Sequence, residues 1–174
     1  MMNFRDWSVS TNAPAMLTSL HLNYPDQMQL LIPKLHRYFI ATCRTIEHFT
    51  PQENLRKAVR GAEKWFAGKI TDDEFHRLKW NVEASAFRIE NAKHPEDFTW
   101  LQLMVSKIDS LNGLPIEEAH RILTKAAFFV DAALCYPTIS SAPFVQNLCL
   151  SEFLSADLLR EYVDPLLDDW LNID

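Results

Sequence analysis

Only three glycines, at 61, 68 and 113, occur in the 174 residues of this chain. Hairpin turns and phosphate-cradling loops both need residues at positive φ, usually several glycines close together. That scarcity argues at once against an all-β fold and against a nucleotide-binding loop. Cysteine is scarce as well: Cys43, Cys135 and Cys149 are odd in number, widely spaced and set in apolar surroundings. This argues against a disulfide framework and points to reduced, buried thiols in a cytoplasmic protein. Long apolar runs are missing too. None exceeds the five residues from Ala126 to Val130, against the roughly 20 that a membrane-spanning helix needs. The opening Met-Met-Asn-Phe-Arg-Asp-Trp is too polar for a secretory leader.

What the chain does have is apolar bulk: 48% hydrophobic residues, with 11 Phe and 5 Trp, enough for one sizeable core. Its clearest punctuation is helical. Thr50-Pro51-Gln52-Glu53 and Thr71-Asp72-Asp73-Glu74 each read as a capping box, a hydroxyl with a carboxylate three residues on. Gly68 supplies the left-handed residue that ends the helix between them. Residues 1–12 lack helical spacing and read as an arm packed on the body. Asn12 and Pro14 open a short helix to about Leu22, closed by Asn23-Tyr24-Pro25. Asp26 can cap the next, in which Pro33 predicts a kink or a break with a fresh start.

From Lys34 an apolar stripe continues to about Phe49, and further helices run from Pro51 to about Ala67 and from Thr71 to His94-Pro95. Others span Glu96 to about Leu111 and Pro115 to about Cys135. Ser140 to Pro143 reads as a connector. Ser151 is expected to cap Glu152 to Val163, with Asp164-Pro165 restarting a last short helix. No strand pattern and no sustained repeat emerges. The expectation is an all-α fold, one compact bundle of about seven helices forming a single domain over 1–174.

Residues able to carry chemistry do not assemble into a constellation. Glu117 and His120 have the Glu-x-x-His spacing of di-iron bundles, but no second copy exists, and acids in a first turn favour the helix dipole. The six histidines (21, 36, 48, 76, 94, 120) show no zinc spacing. Cys43 and His48 are five apart and cannot share a helix face. Ser140 and Ser141 lack a nucleophile elbow. Asp72, Asp73, Glu74 and His76 are explained by a helix start. No catalytic, metal-binding or cofactor-binding residue is expected, and the chain reads as a non-enzyme.

Charge is unevenly spread around a net −6. Lys34 to Lys69 holds eight basic residues against three acidic, and Glu152 to Asp174 holds seven acids against Arg160. Arg37 and Arg44, with Arg56, Lys57, Arg60 and Lys64, form the best candidate binding surface, the last four stacking at helical spacing. Overall acidity and the lack of a helix-turn-helix signature argue against nucleic acid. Asp164, Asp168 and Asp169 around Trp170 make a second candidate surface, acids about an aromatic anchor that suit a basic protein target.

The stretch Tyr38 to Arg44, followed by Arg56-Lys57-Ala58-Val59-Arg60-Gly61-Ala62-Glu63-Lys64-Trp65-Phe66-Ala67-Gly68 and the acidic start at Thr71, resembles a bacterial helical module. It is similar to planctomycete-type helical proteins and to all-helical immunity proteins of polymorphic toxin systems. Leu158-Leu159-Arg160-Glu161 echoes their C-terminal segment, while Glu47 departs from the pattern, which often has an aromatic residue there. The resemblance implies a compact helical body and no catalytic residues. It implies a protein partner: a toxin or effector whose surface an immunity- or inhibitor-like domain masks. The alternatives are a self-associating scaffold, dimerising through its Phe- and Trp-rich helices, and a ligand or metal site in the core around His120 or Cys43.

Overall fold

Some helices in this chain begin at a capping side chain, and one ends at a left-handed glycine, satisfying backbone groups that the helix itself leaves open. The computed structural model describes residues 4–23, 25–92, 95–137 and 148–171, without the side chains of 4, 5, 23, 95, 96 and 165–171. Among the described residues the fold is all-α, with eight α-helices and no strand. In order these are α1 (Phe4–Val9), α2 (Ala13–Asn23), α3 (Met28–Thr45), α4 (Glu53–Phe66) and α5 (Asp72–Asn91). Then come α6 (Pro95–Val105), α7 (Ile116–Cys135) and α8 (Ala156–Leu171), with 3-10 turns at Glu47–Phe49 and Asp109–Leu111. The helix beyond the expected seven is α1, inside the predicted arm. The connector at Ser140 to Pro143 lies outside the described residues, as do Tyr24 and His94.

The punctuation is half as predicted. Thr71 caps α5 with a complete box: the Glu74 N–H donates to Thr71 Oγ1 (3.2 Å), and the Thr71 N–H donates to the Glu74 carboxylate (2.8 Å). Gly68 sits at φ 66°. Its N–H donates to the Trp65 carbonyl (2.9 Å) and that of Lys69 to the Lys64 carbonyl (2.8 Å), the paired bonds of a Schellman motif. Thr50 caps nothing. Its hydroxyl donates to the Glu47 carbonyl at 2.9 Å, and α4 starts two residues later than a Thr50 cap requires, with Gln52 as N-cap and no side-chain cap bond.

Neither Pro33, expected to kink or break its helix, nor Pro165, expected to follow a restart, interrupts the helix that contains it. Helix α3 continues through Pro33. The carbonyl deprived of its donor belongs to Gln29, and both residues are exposed, so water can take the missing partner's place. Helix α8 likewise continues through Pro165. It begins at Ser155, not Ser151: the Leu158 N–H donates to Ser155 Oγ at 3.2 Å, whereas Ser151 Oγ accepts from Phe153 in a local turn.

The described structure divides into two compact units, Met1–Thr42 with Tyr136–Asp174, and Cys43–Cys135. In the first, Met16, Leu17 and Leu20 of α2, Leu31, Leu35, Tyr38 and Phe39 of α3, and Leu159 and Val163 of α8 are buried. Each fully buried large side chain contributes about 1.5–3 kcal/mol. Trp7 of α1 is buried too, and its indole N–H donates to Asp164 Oδ1 at 2.7 Å. Arg160 reaches the carbonyls of Trp7 and Ser10, so the arm is tied down at its polar edge as well. The Tyr38 hydroxyl donates to the Ser155 carbonyl at 3.2 Å.

The second unit is built on α5 and α7, which pack along each other, with α4 against both and α6 against α7. Its core takes Leu55, Ala58, Val59 and Ala62 from α4, Phe75, Val82, Ala86 and Ile89 from α5, and Leu123, Ala126, Phe129 and Val130 from α7. Small residues on α7 (Ala119, Ala126, Ala127, Ala132, Ala133) bring its neighbours close. Helices α4 and α5 run antiparallel: Asn54 bonds to Asn81 and Ser85 at one end, and at the other the Trp65 indole donates to Asp72 (2.6 Å) and its ring stacks on Phe75 at 4.9 Å.

Because Thr71 caps a helix and Gly68 holds a left-handed backbone, Thr71→Ala should lower the unfolding free energy by about 1 kcal/mol. Gly68→Ala should lower it by about 1 kcal/mol, although nothing stands within 4 Å of the added Cβ. Urea denaturation measures both; an unchanged midpoint for either removes the corresponding role.

Candidate functional site

Helix α4 turns its apolar side to the core, which leaves Lys57, Arg60 and Lys64 on the outside, with Gly61 in line between them. Opposite, α5 presents Glu74, Arg77, Leu78 and Asn81, again at spacings of three and four. The two rows border an open groove of about 570 Å³. Ile70, from the turn joining the helices, and Leu78 supply its apolar surface, both half-buried. At Gly61 a Cβ would overlap Cδ1 of Leu78, so the end of the Leu78 side chain lies across the glycine.

The cations singled out from the sequence have separate fates. Glu47 bridges Arg44 and Arg60, the latter at 2.9 Å, and Arg44 also reaches Glu63 at 3.2 Å. These pairs are exposed and individually worth little. Arg56 is half-buried and holds the turn before α4, its Nε donating to the Thr50 carbonyl at 2.9 Å. Arg37 is exposed and belongs to the other unit. Lys57, Arg60 and Lys64 are brought together on the groove, and Arg77 joins them from α5. Arg77 was missed by reading one helix at a time; the clue was the second row Glu74-Arg77-Leu78-Asn81 just past the Gly68 turn.

The acidic tail fares differently. Asp164 is occupied within its own unit by the Trp7 indole. The side chains of Asp168, Asp169 and Trp170 lie outside the described residues.

Residues weighed for chemistry are placed in structural roles. His120 Nε2 lies 2.6 Å from the Ile89 carbonyl, so this nitrogen carries the proton and fastens α7 to the end of α5. Glu117 is exposed in the first turn of α7. The three cysteines are free; Cys43 is buried, whereas Cys135 and Cys149 are only half-buried. Burial pushes the Cys43 thiol far up and that of Cys149 to about 11, and it raises Cys135 with help from Asp131. Thiols held protonated in this way are poor nucleophiles. Among the described residues no group of three His, Cys, Asp or Glu is placed to hold a metal ion. No helix among them is long and apolar enough to cross a membrane.

One ionisable group was overlooked. Asp131, in the middle of the most apolar helix, is only 4% exposed. Burial raises its carboxyl to about 6, the Glu83 carboxylate adds to the rise, and the Lys79 ammonium opposes it. A lone acid inside Ala126 to Leu134 was the available signal.

No family model matches this chain, and neither a curated protein nor a solved structure is similar to it.

Asp131 makes stability depend on pH in a direction opposite to that of a paired carboxylate. The folded chain holds this proton up to about pH 6, against 3.8 for an ordinary aspartate. The stability gained is complete below the lower value and is lost as pH rises through the upper one. At about 1.4 kcal/mol per pKa unit, the loss amounts to at most about 3 kcal/mol. Asp131→Asn should therefore be more stable than the parent at pH 8, with the difference closing towards pH 4. Thermal melts across that range test this; a gap that does not change with pH would refute it.

Proposed function

We propose that this chain acts by binding another protein, as an immunity- or inhibitor-like cytoplasmic domain that masks a toxin or effector surface without catalysing a reaction. The observation that carries the reading is the α4/α5 groove. Charged lysines and arginines surround an incompletely covered apolar floor, the mixture from which protein interfaces are made. Such a surface steers an acidic partner while its floor supplies burial. The basic residues Lys57 and Lys64 are the contacts, with Arg60 between them held by Glu47 and Arg56 acting indirectly by holding the start of α4. No cofactor is needed. Affinity isolation with the tagged chain from its native host should recover one protein in stoichiometric amount that stays bound through gel filtration. Recovery of the chain alone would overturn the reading.

A second reading, self-association as a scaffold, is favoured by one observation: Trp80 on α5 is 77% exposed, and Phe87 on the same helix is 46% exposed and meets Phe128 edge to face. Large exposed aromatics are frequent anchors of interfaces. Under this reading light scattering finds a dimer that Trp80→Ala shifts to monomer. A monomer at all concentrations excludes it.

A further inference from the structure

We propose that the α4/α5 groove receives an acidic amphipathic helix of a partner protein, with two carboxylates seven residues apart and an apolar side chain midway between them. This rests on the protein-binding reading above and specifies the partner's chemistry.

Lys57 and Lys64 are the reason for the spacing. Both are exposed, and among the described residues neither takes part in an ion pair. They lie seven residues apart on one face of α4, about 10 Å along its axis at 1.5 Å per residue. A helix laid alongside repeats the same interval, so carboxylates seven apart on it meet both ammonium groups. Arg60, between the lysines, is already committed to Glu47.

The middle of the groove explains the apolar residue. Gly61 raises no side chain there, the half-buried Leu78 lies across it, and Ile70 extends the apolar floor from the turn. An apolar side chain three or four positions after the first carboxylate falls over this spot, which is the anchor pattern of helix-in-groove recognition. Two further groups favour an amphipathic helix over a nucleic acid strand. Glu53 and Glu74 also line the groove and repel a continuous line of phosphates more than two carboxylates spaced to meet the lysines. Glu74 cannot be neutralised cheaply, because the Thr71 N–H and hydroxyl hold its carboxyl below the ordinary range.

The probe is a fluorescently labelled helical peptide with glutamates seven residues apart and a leucine midway, compared with the same peptide carrying lysines instead. Anisotropy titration should show binding of the acidic peptide, weakened by salt, and little of the basic one. The double substitution Lys57→Glu with Lys64→Glu should weaken binding at least about tenfold, because two attractions become repulsions. Ile70→Ser keeps the charges and should weaken it about threefold or more by removing apolar contact. Melting curves establish that both variants stay folded. Absence of binding, equal binding of the two peptides, or undiminished affinity of the double variant each overturns the proposal. So does displacement of the peptide by a single-stranded DNA oligonucleotide at lower concentration. Any of these results in a chain that still captures a protein partner sinks the groove assignment alone, whereas a chain that captures none sinks the parent reading.

Discussion

Where α4 passes α5, Leu78 occupies the space that a side chain at position 61 would fill. The Leu78 side chain thus crosses α4 at a position that raises no side chain of its own. The five residues between the helices hold the Gly68 Schellman turn and the Thr71 cap, which reverse the chain tightly enough for Trp65 to reach Asp72 and Phe75. With the helices this near, their outward rows of polar residues face each other across a narrow floor. The candidate site is thus a by-product of packing: Leu78, lying across Gly61, is part of the groove's apolar floor.

Electrostatics in this unit take two forms that should be kept apart. The network of Arg44, Glu47, Arg60 and Glu63 is exposed, mutually neutralised and screened by salt, so it trims the positive potential of α4 without adding much stability. Asp131 is the reverse case. It is a single acid removed from water among apolar residues, where burial outweighs the help of Lys79. The first arrangement decides which cations remain available to a partner, and the second makes neutral pH less favourable to the fold.

Local signals were legible in the sequence, and competing ones were not. Thr71 and Gly68 act through groups within five residues of themselves, so their roles could be read directly. Thr50-Pro51-Gln52-Glu53 carries the same letters as the Thr71 box, but Thr50 belongs to the end of the 3-10 turn, its hydroxyl donating to the Glu47 carbonyl, and α4 starts too late for a first-turn N–H to reach it. Ser151 Oγ accepts from Phe153 in a turn of its own, which leaves the cap of α8 to Ser155. Pro33 failed as a breaker because exposure removes part of its penalty. For the site, helical spacing was enough to place Lys57, Arg60 and Lys64 together. It could not show that Glu47 compensates Arg60 from 13 positions away, nor that Arg77 faces them across a turn.

An acidic chain with a basic groove is less contradictory than its net charge of −6 suggests. At physiological ionic strength charges separated by more than about 8 Å are largely screened from each other. Within its own unit the groove carries Glu53 and Glu74 beside Lys57, Lys64 and Arg77, and Arg60 is paired with Glu47. Net charge governs solubility and weak long-range steering, whereas the local potential of the groove is set by these few groups. Under the protein-binding proposal, recognition of an acidic surface by an acidic chain requires only that the partner's carboxylates meet Lys57 and Lys64 at the spacing α4 sets.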